Sequence, residues 1–187
     1  MRLIITRHGE TQGNVKRILA DDDDKLTSRG IEQAKCASKA LKHEKIDAIY
    51  TSPILRTKET AKIIAKEHPN SKFIIADELK EVKLGSYLYK KFDEVDWINL
   101  PPDVENRTSM FKRGKKIVLK AFRQYPKGTV LFVSHNALNK AIIRFLRGLK
   151  PEDQTTRIPQ NNTAISIYEV NKKRYKEVTF NNTKHLR

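Results

Sequence analysis

A single cysteine, Cys36, stands among the 187 residues. No internal disulfide is possible, so packing alone must hold the core, as is usual for proteins of reducing compartments. No apolar run approaches the ~18–20 residues needed to cross a bilayer. The opening Met1-Arg2-Leu3-Ile4-Ile5 meets Arg7-His8 too soon to leave room for an apolar signal stretch. These shortages together point to a soluble cytoplasmic protein without membrane contact. Acidic residues are scarce in one part of the chain only. Residues 1–106 are nearly balanced, at a net charge of +1, whereas residues 107–187 carry 19 Lys/Arg against Glu152, Asp153, Glu169 and Glu177, a net of +15. Such a field attracts polyanions, nucleic acid included. Aromatic residues do not interleave the basic ones as a single-strand binding platform requires, so a lysine-rich solvated surface is the plainer reading.

What the sequence does contain is 38% hydrophobic and 32% charged residues, enough to build a core and too apolar for wholesale disorder. The length fits one domain over residues 1–187. Apolar runs predict short buried strands at 2–6, 46–51, 73–76 and 129–133. Between them lie helical patterns. Thr27 is placed to cap a helix with Ile31, Ala34, Ala37 and Leu41 on its inner face. Ser52-Pro53 is placed to open one that runs to about Glu67. Met110, Phe111, Ile117, Val118, Ala121 and Phe122 form a stripe over 108–125, and Leu138, Ala141, Ile142, Phe145 and Leu146 form another over 137–148. Residues 165–170 and 175–180, joined through 171–174, read as a closing hairpin. Strands alternating with helices imply an α/β fold of three layers, α/β/α, around a mostly parallel sheet. The acidic run Asp21–Asp24 resembles a protease-site tag, but its setting between two ordinary segments favours a native loop. Residues 84–106, with Pro101-Pro102, are the least regular stretch and a candidate lid.

In parallel sheets, ligands sit beyond the carboxyl ends of the strands. The residues that follow the predicted strands are Arg7, His8, Glu10, Thr11 and Asn14, then Arg56, then Glu81, then Ser134, His135 and Asn136. Two arginines, two histidines and a glutamate on one sheet edge suit phosphoryl transfer. Guanidinium forks match phosphate oxygens in pairs, a neutral imidazole is a competent nucleophile, and a carboxylic acid can protonate a leaving oxygen. A metal site is not expected, because His8 and His135 lack close-spaced ligand partners and the arginines repel a cation. His43, His68 and His185 lie in polar settings that suggest the surface, and Cys36 reads as a small packing residue.

The run Leu3-Ile4-Ile5-Thr6-Arg7-His8-Gly9-Glu10-Thr11, with Asn14, resembles the signature of the histidine phosphatase superfamily, whose fold is that of the phosphoglycerate mutases. Four further segments match in order. Leu26-Thr27-Ser28-Arg29-Gly30-Ile31-Glu32-Gln33-Ala34 is similar to the family's L-T-x-x-G-x-x-Q-A. Ser52-Pro53-Ile54-Leu55-Arg56-Thr57-Lys58-Glu59-Thr60-Ala61 is similar to its S-P-x-x-R-x-x-x-T-A. Leu79-Lys80-Glu81-Val82-Lys83-Leu84-Gly85 and Val133-Ser134-His135-Asn136 resemble the two remaining motifs. The residues alone leave open which histidine attacks phosphorus. The resemblance implies that His8 does so, forming a phosphohistidine. It also implies that Arg7, Arg56 and His135 bind the phosphoryl oxygens and that Glu81 acts as general acid and then general base. Asn14 and the Asn136 backbone would add hydrogen bonds, with no cofactor and a small phosphorylated substrate.

The superfamily holds both phosphatases and mutases. Mutases resembling this chain carry Glu-Arg-His-Tyr-Gly where Glu81-Val82-Lys83-Leu84-Gly85 stands, and a longer insertion than the 53 residues between Glu81 and His135. A phosphomonoester hydrolase is therefore expected. The alternatives are a cofactor-dependent phosphoglycerate mutase and a non-catalytic phosphate- or nucleic-acid-binding protein using the basic C-terminal half. Two departures from the family pattern bear on the leaving-group pocket. Ser86-Tyr87-Leu88-Tyr89 follows the glycine, and Val104-Glu105-Asn106 replaces the usual Gly-Glu-Ser, with Arg113 kept eight residues after Glu105.

Overall fold

Strand β1 (Arg2–Arg7) is apolar at consecutive positions because both of its faces are covered. The computed structural model describes residues 1–153, 155–172 and 174–187. β1 runs parallel to β4 (Thr129–Ser134), with Arg2 opposite Thr129 and Arg7 opposite Ser134. On the far side of β4 lies β2 (Ala48–Thr51), and beyond it the edge strand β3 (Lys72–Ile75), both parallel. The hairpin of β5 (Ile165–Val170) and β6 (Tyr175–Asn182) adds two antiparallel strands beside β1. The sheet order is β3-β2-β4-β1-β5-β6.

Alternate residues of the strands feed two separate cores. Leu3, Ile5, Tyr50, Val130 and Phe132 pack with Ile117, Val118 and Ala121 of helix α4 (Arg107–Gln124) and Leu138 and Ile142 of helix α5 (Asn136–Leu146). Ile4, Ile49, Leu131 and Val133 pack with Ala37 and Leu41 of helix α2 (Ser28–Leu41) and Ala61 and Ile64 of helix α3 (Leu55–Ala65). This is the expected three-layer α/β architecture. Each fully buried aliphatic or aromatic side chain contributes about 1.5–3 kcal/mol, so burial on both sheet faces outweighs the modest helix propensities.

Several local expectations are corrected. Ile31 is 39% exposed. The inner face of α2 is Gly30, Ala34, Ala37, Ser38 and Leu41, because the loop after β1 crosses at Gly30. A Cβ on Gly30 would lie 2.1 Å from Glu10 O, and one on Gly9 would lie 2.3 Å from Gly30 O, so only two glycines permit this approach. Ser52 does not cap α3. The cap position is Ile54, and Ser52 Oγ accepts from Ile54 N–H at 3.2 Å. His68 is buried rather than on the surface, with Nε2 unpartnered among the described residues and its pKa lowered by that burial.

A short helix α1 (Gln12–Lys16) has no apolar periodicity and escapes a pattern search. It forms through a capping box in which Thr11 and Asn14 exchange side-chain and backbone hydrogen bonds. Residues 84–106 hold two single 3-10 turns and no strand of the sheet. They are tied down by a bridge between Ile18 and Lys91 and by the Arg17–Asp93 ion pair at 2.7 Å. In the expected loop 171–174, Lys173 lies outside the described residues; the loop is closed by Asn171 N–H donating to Arg174 O at 3.0 Å. No helix among the described residues is long and apolar enough to cross a membrane.

Candidate active site

The register of three neighbouring strands, β2, β4 and β1, brings their carboxyl ends level: Thr51 is opposite Val133, and Ser134 is opposite Arg7. The next residues, Ser52, His135 and His8, therefore emerge side by side. Ser52 N–H donates to Val133 O at 3.3 Å and His8 N–H to Ser134 O at 3.0 Å, which extends the ladder one step past the strands.

His8 and His135 are both buried, with ring centroids 5.4 Å apart. His8 Nδ1 lies 2.7 Å from Gly9 O. A carbonyl can only accept, so Nδ1 carries the proton and Nε2 keeps its lone pair. Burial first, then the charges of Arg7 and Arg56, push the His8 pKa well below 6.5. His135 is lowered by burial and then by His8, Arg56, Arg7 and Arg113. Its Nε2 pairs with Ser52 Oγ at 3.0 Å, and its Nδ1 is buried without a hydrogen-bond partner among the described residues.

Arg7 Nη1 donates to Gln160 O at 2.9 Å, while Arg7 Nε is buried and has no hydrogen-bond partner among the described residues. Desolvation lowers the Arg7 pKa, opposed by Glu81, yet a guanidinium remains charged at neutral pH. Arg56, in the first turn of α3, is 7% exposed, and its Nη1 donates to Asp21 O at 2.7 Å. The acidic loop thus contributes a backbone carbonyl that fixes an arginine, as a native part of the fold would.

Glu81 approaches from the segment after β3. Its Oε1 accepts from Val82 N–H at 3.0 Å and from Ala137 and Leu138 N–H at 3.1 and 3.3 Å. The carboxylate thereby caps α5, to which the side chain of the cap residue His135 gives no capping bond. Asn136 opens that helix, and its backbone N–H lies at the same terminus. Asn14 is committed through Oδ1 to the Thr11 capping box and to Asn162 Nδ2 at 3.0 Å, leaving its Nδ2 as the group available to a ligand. The structure thus gathers His8, Arg7, Arg56, His135, Glu81, Asn14 and Asn136 around one sheet edge.

Sequence reasoning missed the segment that clasps β1 from the far side. Thr163 N–H donates to Arg7 O at 3.0 Å, and Asn162 Nδ2 to His8 O at 3.0 Å. Thr163 takes a left-handed φ of 54°, uncommon for a β-branched residue and a sign of stored strain. Lys140, one turn into α5, is a further half-buried cation, lowered by desolvation and raised by Glu81. Beside Glu81 an open cleft of about 560 Å³ is bordered by Lys80, Lys83, Asp103, Glu105 and Arg113. Among the described residues no cluster of three or more His, Cys, Asp or Glu is placed to hold a metal ion.

A profile of the histidine phosphatase superfamily (branch 1) matches residues 3–183. The chain belongs to the histidine phosphatase superfamily. Among relatives, the uncharacterised phosphatase PhoE of Bacillus subtilis is 29% identical over 186 residues, covering 97% of this chain and 95% of that protein. The 2,3-bisphosphoglycerate-dependent phosphoglycerate mutase of Thermoplasma acidophilum is 31% identical, covering 89% of this chain and 86% of the mutase. Among solved structures, a phosphoserine phosphatase of Entamoeba histolytica bound to phosphoserine superposes with a TM-score of 0.86 at 26% identity, covering 99% of this chain and 98% of that one. This histidine phosphatase is accordingly an enzyme of the phosphatase kind, with the phosphoglycerate-mutase-like fold that the strand-end motifs imply.

Proposed function

We propose that the protein hydrolyses small phosphomonoesters through a phosphohistidine on His8. The observation that carries this reading is the His8 ring itself. It is buried, held neutral beside two arginines, and fixed by the 2.7 Å bond from Nδ1 to Gly9 O so that Nε2 is the free nitrogen.

In the first step Nε2 forms a bond to phosphorus while the bond from phosphorus to the ester oxygen breaks. Glu81, in its acid form, gives its proton to that oxygen, so the alcohol leaves neutral. Arg7 and Arg56 face the phosphoryl oxygens, and the unpartnered Arg7 Nε and His135 Nδ1 are buried groups still open to a bond. In the second step Glu81, now a carboxylate, takes a proton from water. The water oxygen bonds to phosphorus, the P–N bond breaks, and inorganic phosphate departs. Charge on phosphorus is met by arginines here, which makes a metal ion unnecessary for either step. Relatives that are phosphoserine phosphatases, with the one solved in complex with phosphoserine, support a small phosphorylated substrate.

The test is release of phosphate from an aryl phosphate with a chelator present, together with acid-quench trapping of labelled phosphoenzyme. Wild type should turn over and label, and His8→Ala should do neither. Labelling that survives in His8→Ala would mean that the wrong nucleophile is named. With 3-phosphoglycerate, phosphate should appear rather than the isomeric phosphoglycerate that a mutase would return.

A further inference from the structure

Arg113 has no donor to spare. Its Nε and Nη2 hold Glu105 at 3.1 and 2.7 Å. Its Nη1 donates to Glu78 O at 2.9 Å and to Lys80 O at 2.6 Å, and Nη2 reaches Glu81 O at 3.3 Å. A guanidinium has five N–H groups, and here five acceptors take them. Arg113 borders the cleft beside Glu81, yet it is spent on the protein's own backbone and cannot be a substrate ligand without letting go of it.

Glu105 completes the grip. Its Oε2 accepts from Lys83 N–H at 3.2 Å, and its own N–H donates to Lys83 O at 2.9 Å. The ion pair is largely shielded, with side chains 19% and 13% exposed. The segment it holds follows the 3-10 turn Asp77–Leu79 and has no helix or strand of its own through Leu84. Backbone of that kind has no ladder to fix it. One bidentate pair anchors it on both sides of Glu81, at residues 78, 80 and 81 and again at 83. The other fixed point of Glu81 is the carboxylate itself, at the N-terminus of α5.

We propose that the Arg113–Glu105 pair positions Glu81, setting where its carboxyl group meets the leaving oxygen. The proposal rests on the reading of Glu81 as general acid. Arg113 is on this account a positioning residue, and its effect passes through Glu81 alone. Lysine keeps the charge but cannot span five acceptors in a plane, so Arg113→Lys separates charge from geometry.

The experiment is a double-mutant cycle on kcat/KM, using p-nitrophenyl phosphate, whose leaving group needs little protonation, and an alkyl phosphate, whose leaving group needs it. Arg113→Lys should cost the alkyl ester about tenfold or more, a part of the roughly 10²–10⁴-fold that acid catalysis supplies in full, and the aryl ester less. In a Glu81→Gln background the same change should cost less than about threefold, because coupled residues are not additive. Glu105→Gln, which keeps the hydrogen-bonding shape, should repeat the pattern more mildly and serves if Arg113→Lys fails to fold. Equal losses on both esters that add fully to Glu81→Gln overturn the proposal, with Glu81 still standing as the acid. A Glu81→Gln enzyme with wild-type activity on the alkyl ester overturns the underlying reading of Glu81 and the proposal with it.

Discussion

His8 and His135 meet edge to face, at a centroid separation of 5.4 Å and an interplanar angle of 62°; burial and the charges of Arg7 and Arg56 lower the readiness of both to take a proton, and His8 lowers that of His135 further. Two neutral imidazoles at the head of one sheet have a measurable signature in acid. In the folded state both pKa values lie well below 6.5, the value each ring regains on unfolding. As pH falls below 6.5 the unfolded chain binds protons that the folded chain refuses, so stability declines until the folded values are reached. The slope approaches about 1.4 kcal/mol per pH unit for each histidine. Urea unfolding between pH 7 and pH 4.5 should show this decline, with a shallower slope in His8→Asn. An unchanged slope in that variant would contradict the depressed His8.

Ser52 offers a second test. Its hydroxyl is the partner of His135 Nε2 at 3.0 Å. Ser52→Ala leaves a buried ring nitrogen unsatisfied, which costs about 1–3 kcal/mol. The variant should melt lower and lose kcat more than KM, because His135 is then free to turn. Ser52→Thr, which retains the hydroxyl, should recover part of the loss.

The close approach of Gly9 and Gly30 predicts a steric failure. A Cβ at either site meets backbone oxygen at 2.3 or 2.1 Å, and backbone cannot swing aside as a side chain does. Gly30→Ala should reduce stability by at least the ~1–3 kcal/mol typical of overpacking. Activity should fall with it, since Gly9 O orients His8. A denaturation midpoint equal to wild type would show that the loop yields more easily than its contacts imply.

Asn162 joins two parts of the site, donating to His8 O and to Asn14 Oδ1, both at 3.0 Å. Asn162→Asp replaces that donor with acceptors facing acceptors. We expect kcat/KM on an aryl phosphate to drop about 10- to 100-fold, since misplacing a reacting group by about 1 Å can cost ~10²-fold. Asn162→Ala should be milder, because it removes the bond without adding repulsion.

Much of this architecture is legible in the sequence. Val130–Val133 and Leu3–Ile5 are apolar without a break because helices cover both faces, and strand ends in such sheets are where ligands bind. That reasoning singles out Arg7, His8, Arg56, Glu81 and His135, which the fold brings to one sheet edge. It failed where the partner is backbone, which leaves no trace in residue identity. The carbonyls of Asp21, Gln160 and Glu78 hold three arginines, and nothing in their side chains advertises it. Ile31 misled because the inner face of α2 is set by a glycine contact rather than by its apolar residues. His68 misled because polar sequence neighbours say little about tertiary burial.

The place of β4 in the sheet governs when the active site can exist during folding. β4 lies between β1 and β2, so β1 cannot join the β2–β3 pair until residues some eighty positions downstream of β2 slide in between. Arg7 and His8 on one side and Arg56 on the other are held apart until that insertion. Pairings this distant in sequence are slow to form, and a nascent chain released before β4 would carry Arg7 and Arg56 and no frame to aim them.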